Sequence, residues 1–444
     1  MSPPPPPPPR RPRPLWLDCD PGHDDALAIV LALHSPDHCR LLGVSTVASN
    51  HSLRAVTGNA AAVLAACGGR GSSSSSTSPA STSSSPLSVP LHAGAESPLF
   101  LPPKICPEIH GSSGLCVEGG SFADVVRKKL RKAGQKEEEL FFPALSRKGA
   151  VQAMAEAIEK AAAEIEEEEE GEEGENGEAN GGKTKEAKRR KRKRKPQRAA
   201  LVATGALTNI ALLLWTRPDL VAAKKFDLYL MGGALGQGNT GVVAEFNFEV
   251  DPHAASAVFG SAGAGRGLRV TLVPLDVTHT ALVSPDVLRK LGLEGEGEGE
   301  EEREGEGKTS PPLSPLRTAL RSLLLYFAET YKNHFGFDVG PPLHDPLAVL
   351  AAIFPPEEEE EGQEEEGEEK SETNPVFDLT RARVDVEVSS PLSLGQSVID
   401  LLPALGRSQG RGEPNALVAT RVDLGVLWGM LGAAIERADR ASPL

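Results

Sequence analysis

The segment Asp18-Cys19-Asp20-Pro21-Gly22-His23-Asp24-Asp25 places four carboxylates within eight residues, at the end of an apolar run. Pro21-Gly22 turns the chain sharply, so the acids converge instead of alternating across a strand. Left unpaired, such anions repel and raise one another's pKa. A hard divalent cation removes that repulsion, and all-oxygen ligation by several carboxylates suits calcium best. Two other readings compete. Asp24 could simply cap the following helix while its neighbours are solvated, although one cap does not require four acids. The nucleophile pattern D-x-D-x-[TV] of aspartate phosphatases is the other, but Gly22 stands at its fifth position and no hydroxyl follows Asp20.

Three further constellations carry possible chemistry. His344-Asp345-Pro346 opens a helix after a Gly/Pro-rich loop. Asp345 could complete a metal site while His344 serves as an acid, or it could only cap the helix. In Ala244 to Pro252, preceded by Met231-Gly232-Gly233 and Asn239, Glu245 and Asn247 stand two apart and face the same way if the segment is extended. Such a pair suits the adjacent hydroxyls of a sugar; ordinary loop polarity is the plain alternative. Thr204 to Asn209 reads as a strand-to-helix turn whose backbone can approach a ligand, or as a cap made by Thr208 or Asn209.

The elements that must position these residues alternate along the chain. Strands are expected at Pro14–Asp18, Leu41–Val47, Ala200–Ala203, Phe226–Met231, Val270–Pro274, Val384–Val388 and Leu417–Thr420. Helices are expected at Asp24–His34, Leu53–Cys67, Leu207–Trp215, Pro252–Phe259 and Leu424–Arg437. That alternation predicts an α/β fold, a mostly parallel sheet with helices on both faces. Residues 1–14 read as a Pro/Arg-rich tail. Residues 15–440 read as one domain with low-complexity insertions at about 71–88, 161–198, 294–313 and 355–374. Three of these insertions fall between a helix and the next strand. In a parallel sheet they would sit at the amino ends of the strands, opposite the edge where ligands bind.

Composition excludes several classes. The net charge of -15 resides in three acidic tracts holding about 29 of the 62 acids, so the folded part implies no strongly charged partner. No run of about 18 apolar residues predicts a membrane span, and Met1 to Pro14 lacks the apolar stretch of a secretory signal. The five cysteines include no C-x-x-C pair, which argues for a reducing, cytoplasmic setting. The run Lys188 to Lys195 could direct nuclear import or act as a solvated tether beside the Glu tract. No aromatic residue interleaves it, so no specific nucleic acid is expected.

Taken together, the segments DCDPGHDDALAI (18–29), VSTVASN (44–50), EIHGSSGL (108–115), VATGALTNIA (202–211), LMGGA through GNTGVVAEFNFEVDPHAA (230–255), PLDVTHTAL (274–282) and HDPLAV (344–349) resemble the inosine-uridine-preferring nucleoside hydrolase family. The DCDPGHDD form is most similar to eukaryotic uridine-preferring members. The resemblance implies hydrolysis of a ribonucleoside to free base and ribose, with Ca2+ as cofactor and a dimeric or tetrameric assembly. It implies that Asp20, Asp25, Asp345 and the Thr204 carbonyl hold the metal, and that Asp20 activates the attacking water. Asp24, Asn50, Asn239, Glu245 and Asn247 would hold the ribose, His110 would face the base, His344 would be the leaving-group acid, and Asp18 would stand behind the ligands. Gly111-Ser112-Ser113 and Ser49 depart from the family's usual residues beside the nucleoside, so base preference stays open between pyrimidine, purine and broad use. A degenerate hydrolase that binds ribose without turnover is a further alternative.

Overall fold

The computed structural model describes residues 11–70, 87–134, 148–178, 197–262, 267–295, 312–356, 374–402 and 412–444. Nine strands form the central sheet: β1 (Arg13–Cys19), β2 (Cys39–Thr46), β3 (Leu91–Ala93), β4 (Ala199–Ala203), β5 (Phe226–Met231), β6 (Val270–Val273), β7 (Phe377–Val386), β8 (Ser397–Asp400) and β9 (Ala416–Val422). Their order is β8-β7-β9-β6-β5-β4-β1-β2-β3. Strands β1 to β6 and β9 pair in parallel, and β7 runs antiparallel to both its neighbours. The expected α/β sheet is therefore present, with an antiparallel edge that the alternation of elements did not announce.

Burial explains the difference between centre and edge. Every residue of β1, β4, β5 and β6 is buried, as strands covered on both faces must be. Strand β7 instead mixes buried with exposed positions, the pattern of a sheet with one wet face. β7 starts with Phe377 opposite Val422, the last residue of β9, and Asn374 just before it donates to the Phe354 carbonyl at the end of α8 at 2.6 Å.

The longer helices are α1 (His23–Leu33), α2 (Leu53–Ala66), α3 (Phe122–Lys132), α4 (Ala150–Glu178), α5 (Thr208–Thr216), α6 (Pro252–Ser261), α7 (Pro315–Phe335), α8 (Asp345–Ile353) and α9 (Leu424–Ala441). Helices α1, α2, α8 and α9 pack over one apolar cluster, built around Leu17, Ile29, Val349 and Leu431. Helices α4, α5 and α6 cover the other, with Met154, Leu213 and Phe259. Both faces are thus clad.

Helix α4 continues through 161–178, where the sequence reading begins an insertion. Ala161 and Ala162 remain buried, and the first acids find partners on the body. Glu164 bridges Arg40 at 2.5 Å, Glu159 pairs with Arg217, Glu166 with Lys225 and Glu168 with Arg11. Residues 179–196, including Lys188 to Lys195, and most of the other three insertions lie outside the described residues, as does the tail through residue 10. Among the described residues no helix is long and apolar enough to cross a membrane.

At the amino edge one buried carboxylate gathers three guanidinium groups. Asp227 takes Arg13 at 2.7 Å, Arg198 at 3.0 Å and Arg269 at 2.5 Å. Arg13 also donates to Tyr229 Oη at 2.6 Å and to the Ala352 carbonyl at 3.1 Å, tying β1 to β5 and to the end of α8. Burial alone would raise the Asp227 pKa. Arg269, Arg13 and Arg198 outweigh that and hold it below the usual carboxylate value.

Candidate active site

The opposite edge holds the acids. β1 pairs β2 up to Cys19↔Thr46 and β4 at Asp18↔Ala203, so the chain leaves three adjacent strands side by side. Asp20, Asn50 and Thr204 follow from those strand ends, Met231 closes the next strand, and α8 delivers His344 and Asp345 from across the cavity. Asp24 and Asp25 occupy the first turn of α1, where the helix N-terminus favours negative charge.

One carboxylate oxygen from each of Asp24, Asp25 and Asp345 lies within 4.8 Å of the others, and all three residues are buried. Asp25 Oδ1 accepts from the Thr204 hydroxyl at 2.9 Å, and its Oδ2 from the Gly22 amide at 3.0 Å. Asp20 adjoins this trio: its Oδ2 accepts from the Asn50 amide at 2.8 Å, while Oδ1 is buried with no hydrogen-bond partner. A Cβ on residue 205 would stand 2.6 Å from that Oδ1, so only glycine permits the approach of β4's turn. Asp18 lies behind, accepting from Ser45 Oγ at 2.5 Å and Asn209 Nδ2 at 2.9 Å, with Oδ2 unpartnered. Trp16 Nε1 donates to the same Ser45 Oγ at 2.9 Å.

The sequence counted Asp24 among four acids converging on a cation, and the family resemblance assigned it to the ribose. The structure places it in the trio, because successive residues of a helical turn put Asp24 and Asp25 beside Asp345. Desolvation followed by the Asp25 charge pushes the Asp24 pKa up to about 7. Asp20 and Asp345 are pushed well above the usual range by burial first and neighbouring carboxylates second; burial raises Asp25 as well. Burial takes Asp18 to about 6.

A cavity of about 260 Å³ opens over these acids. Asp24, Asn50, Thr204, Asn239, Glu245, Asn247, His110, His344 and Asp345 all line it, and among the described residues no lysine or arginine does. The expected extended pairing of Glu245 with Asn247 is not what forms. Glu245 is the N-cap of the short helix Phe246–Val250, accepting from Asn247 N at 2.9 Å and Phe248 N at 3.2 Å, and also from Gly233 N at 2.9 Å. A carboxylate two residues before free amides closes them into a helical turn. Burial carries Glu245 to about 7 despite these amides. Asn247 Nδ2 reaches the Thr204 carbonyl at 2.9 Å, which links the sugar-side wall to the acids. Asn239 Oδ1 accepts from Phe246 N at 2.9 Å. The caps expected of Thr208 and Asn209 are also absent: Thr208 donates to Asp251 at 2.7 Å, and Asn209 serves Asp18.

His110 and His344 stand on the other wall, each held in a chain of hydrogen bonds. The Cys116 carbonyl at 2.8 Å can only accept, so His23 carries its proton on Nε2. His23 Nδ1 then accepts from His110 Nδ1 at 3.0 Å, which leaves His110 Nε2 as an acceptor. Burial lowers His23 to about 4 and His110 well below its usual value, so both rings are neutral. His344 Nδ1 meets Thr278 Oγ1 at 2.7 Å, and its Nε2 meets Tyr331 Oη at 2.8 Å. Thr278 spends its proton on the Leu275 carbonyl at 3.1 Å, so His344 donates to Thr278 and accepts from Tyr331. Burial also holds His344 well below its usual pKa. The histidine expected to act as an acid is therefore neutral in this arrangement.

His23, Thr278, Tyr331 and the cavity-lining Cys106 and Phe327 were not foreseen. Phe327 and Tyr331 sit four apart on the buried stripe of α7, indistinguishable from core until its neighbours are known.

With that geometry in view, the likeness to known proteins is specific. A ribonucleoside hydrolase of Dictyostelium discoideum, named as probable, is 31% identical over 423 residues, covering 95% of this chain and 94% of that one. Uridine nucleosidase of Saccharomyces cerevisiae is 30% identical over 343 residues, 77% of this chain and 76% of that one. The solved purine-preferring ribonucleoside hydrolase of Gardnerella vaginalis superposes with a TM-score of 0.62 at 20% identity, covering 96% of this chain and 99% of its own, a likeness of fold. The sequence profile of the inosine-uridine preferring nucleoside hydrolases matches residues 15–429, and the chain accordingly belongs to that family of N-glycosyl hydrolases acting on ribonucleosides.

Proposed function

We propose that this cavity hydrolyses the N-glycosidic bond of ribonucleosides with calcium held by Asp20, Asp25, Asp345 and the Thr204 carbonyl, and that uridine and related pyrimidine nucleosides are preferred. The observation that carries the reading is the trio Asp24, Asp25 and Asp345, three buried carboxylates within 4.8 Å beneath a cavity lined, among the described residues, by no lysine or arginine. The unpartnered Asp20 Oδ1 and the all-oxygen donor set suit a hard divalent cation. Asp24 is close enough to add a further oxygen. Such an ion, when bound, positions a water and lowers its pKa.

The chain's own residues do the rest. Asp20 Oδ1, with no donor of its own, takes the proton of the water that attacks C1′. Asp24, Asn50, Asn239, Glu245 and Asn247 hold the ribose while the C1′–N bond breaks through an oxocarbenium-like state, and direct attack by water inverts C1′. His110 Nε2, fixed as an acceptor, suits a base edge that carries an N–H, which both uracil and hypoxanthine offer. Proton delivery by His344 to the departing nitrogen needs a second ring proton at Nε2. That proton would come from solvent, and the N–H would have to exchange Tyr331 Oη, its partner here at 2.8 Å, for the base nitrogen. Support for a pyrimidine preference comes from the yeast relative's name; the acceptor on His110 fits a purine-preferring or broad enzyme equally. Assembly as a dimer or tetramer and a cytoplasmic setting complete the proposal, read by sedimentation and by fractionation.

The deciding experiment is release of reducing sugar from a panel of common ribonucleosides, with and without strong chelation. Turnover of uridine that stops on chelation and returns with calcium is expected. No sugar from any nucleoside sinks the enzymatic reading; turnover indifferent to chelation sinks the metal; inosine outpacing uridine leaves the purine alternative.

A further inference from the structure

The cavity has two walls that come from distant parts of the chain. Cys106, Glu108, Ile109 and His110 build one; Asn239, Thr240, Glu245 and Phe246 belong to the other. Away from the mouth, Leu99 N donates to Asp251 Oδ2 at 2.8 Å and Phe100 packs edge-on against His253, so the two segments are joined there. Nearer the mouth the join falls to Lys104. Its Nζ donates to Thr240 Oγ1 at 2.9 Å, bridges Glu249 Oε1 at 2.9 Å and lies 5.9 Å from the centre of the Phe246 ring. Thr240 and Phe246 flank the cavity, and Lys104 stands two residues before Cys106. From this geometry we infer that Lys104 is a positioning residue, a clasp that fixes the base-side wall against the sugar-side wall and so sets the affinity for a whole nucleoside. The inference rests on the function proposed above.

The chemistry around Lys104 favours a clasp over a casual surface contact. Glu249 is only 25% exposed, and its second oxygen is buried without a partner. Neutralising one end of the bridge would leave that carboxylate uncompensated close to Glu245, whose carboxyl the Glu249 charge already disturbs. The loop between Asn239 and Ala244 is otherwise held by its own backbone, Asn239 N to the Ala244 carbonyl at 3.2 Å and Gly238 N to the Val242 carbonyl at 3.3 Å. Those bonds shape the loop but do not tie it across the cavity.

A sugar alone and a complete nucleoside therefore respond differently. Ribose meets side chains anchored elsewhere: Asn50 Nδ2 on the Asp20 carbonyl, Asn247 on the Thr204 carbonyl, Glu245 on three amides. A nucleoside must touch both walls at once. Lys104→Met keeps the length of the stem and removes the ammonium. It is expected to raise KM for uridine about five- to tenfold, leave kcat within about twofold, and leave inhibition by free ribose unchanged. Lys104→Arg should recover most of the lost affinity. Calorimetric titration of uridine onto Asp20→Asn, with and without Lys104→Met, gives the same comparison without turnover, so failure of the hydrolase reading and failure of the clasp are separable. A KM and Kd that do not move in Lys104→Met overturn the inference, as does a parallel weakening of ribose. So does a loss confined to thermal stability that Lys104→Arg does not repair.

Discussion

Two edges of one sheet treat buried charge in opposite ways. At the amino edge Asp227 is outnumbered by Arg13, Arg198 and Arg269 and its pKa is held low. At the carboxyl edge Asp18, Asp20, Asp24, Asp25 and Asp345 share one neighbourhood, the cavity above them is lined by no lysine or arginine among the described residues, and every one is raised. The first arrangement balances its charge within the protein. The second gathers like charge, and it is this set that the proposed function assigns to a cation.

The comparison can be broken most decisively through catalysis. Asp20→Asn should cost about 10²–10⁴-fold in kcat, the usual worth of a positioned base, with the fold intact by circular dichroism. A variant that retains full turnover would remove Asp20 from the chemistry. The corresponding blow at the other edge is Asp227→Ala, which strands three arginines. It should cost about 3–5 kcal/mol of stability by denaturant titration, while kcat of the protein that remains folded stays near wild type.

The pH dependence sharpens the contrast, with signs that differ. Asp227 has a depressed folded pKa, so its stabilisation is whole above the ordinary value near 3.8 and is lost as pH falls through the lower folded value. The stability gap between wild type and Asp227→Asn should close only in strong acid. The opposite edge has carboxyls raised to about 6 in Asp18 and about 7 in Asp24 and Glu245. Between roughly pH 4 and 7 these carboxyls bind more protons in the folded state, so their contribution to the stability of metal-free protein falls as pH rises, while that of the lowered histidines His23, His110 and His344 runs the other way. Calcium should flatten that slope and add about 2.7 kcal/mol at a hundred times its Kd, readable as a concentration-dependent Tm. Metal-free Asp24→Asn should gain stability relative to metal-free wild type as pH rises from 5 to 7, and an unchanged difference would contradict this. The smallest effect belongs to the surface: Arg40→Ala, which breaks the bridge to Glu164, should change stability by less than about 1 kcal/mol.

Much of this was legible beforehand, for physical reasons that vary by element. Strands buried on both faces write themselves as uninterrupted apolar runs, and Phe226–Met231 is found with its expected bounds. The acid-rich turn is legible because its density of like charge has few other uses. The antiparallel edge was hidden, since neighbour order across a sheet leaves no mark on a strand's own residues. Tyr331 was hidden because a buried tyrosine on a helical stripe reads as core until His344 is seen 2.8 Å away. The geometry of Glu245 was misjudged through local period: a carboxylate that caps the next turn has the same sequence signature as one on an extended strand. Helix α4 outruns its expected end because alanines and ion pairs anchor its first acidic turns.

The contact between Trp16, Ser45 and Asp18 has an optical consequence. An indole N–H and a carboxylate share one hydroxyl in a dry interior, so loading of the acidic nest should perturb the near-ultraviolet signal of Trp16. Trp215, half exposed on the far side of α5, would supply the unmoving background. The protein thereby carries its own dye for occupancy, legible without a label or a turnover assay.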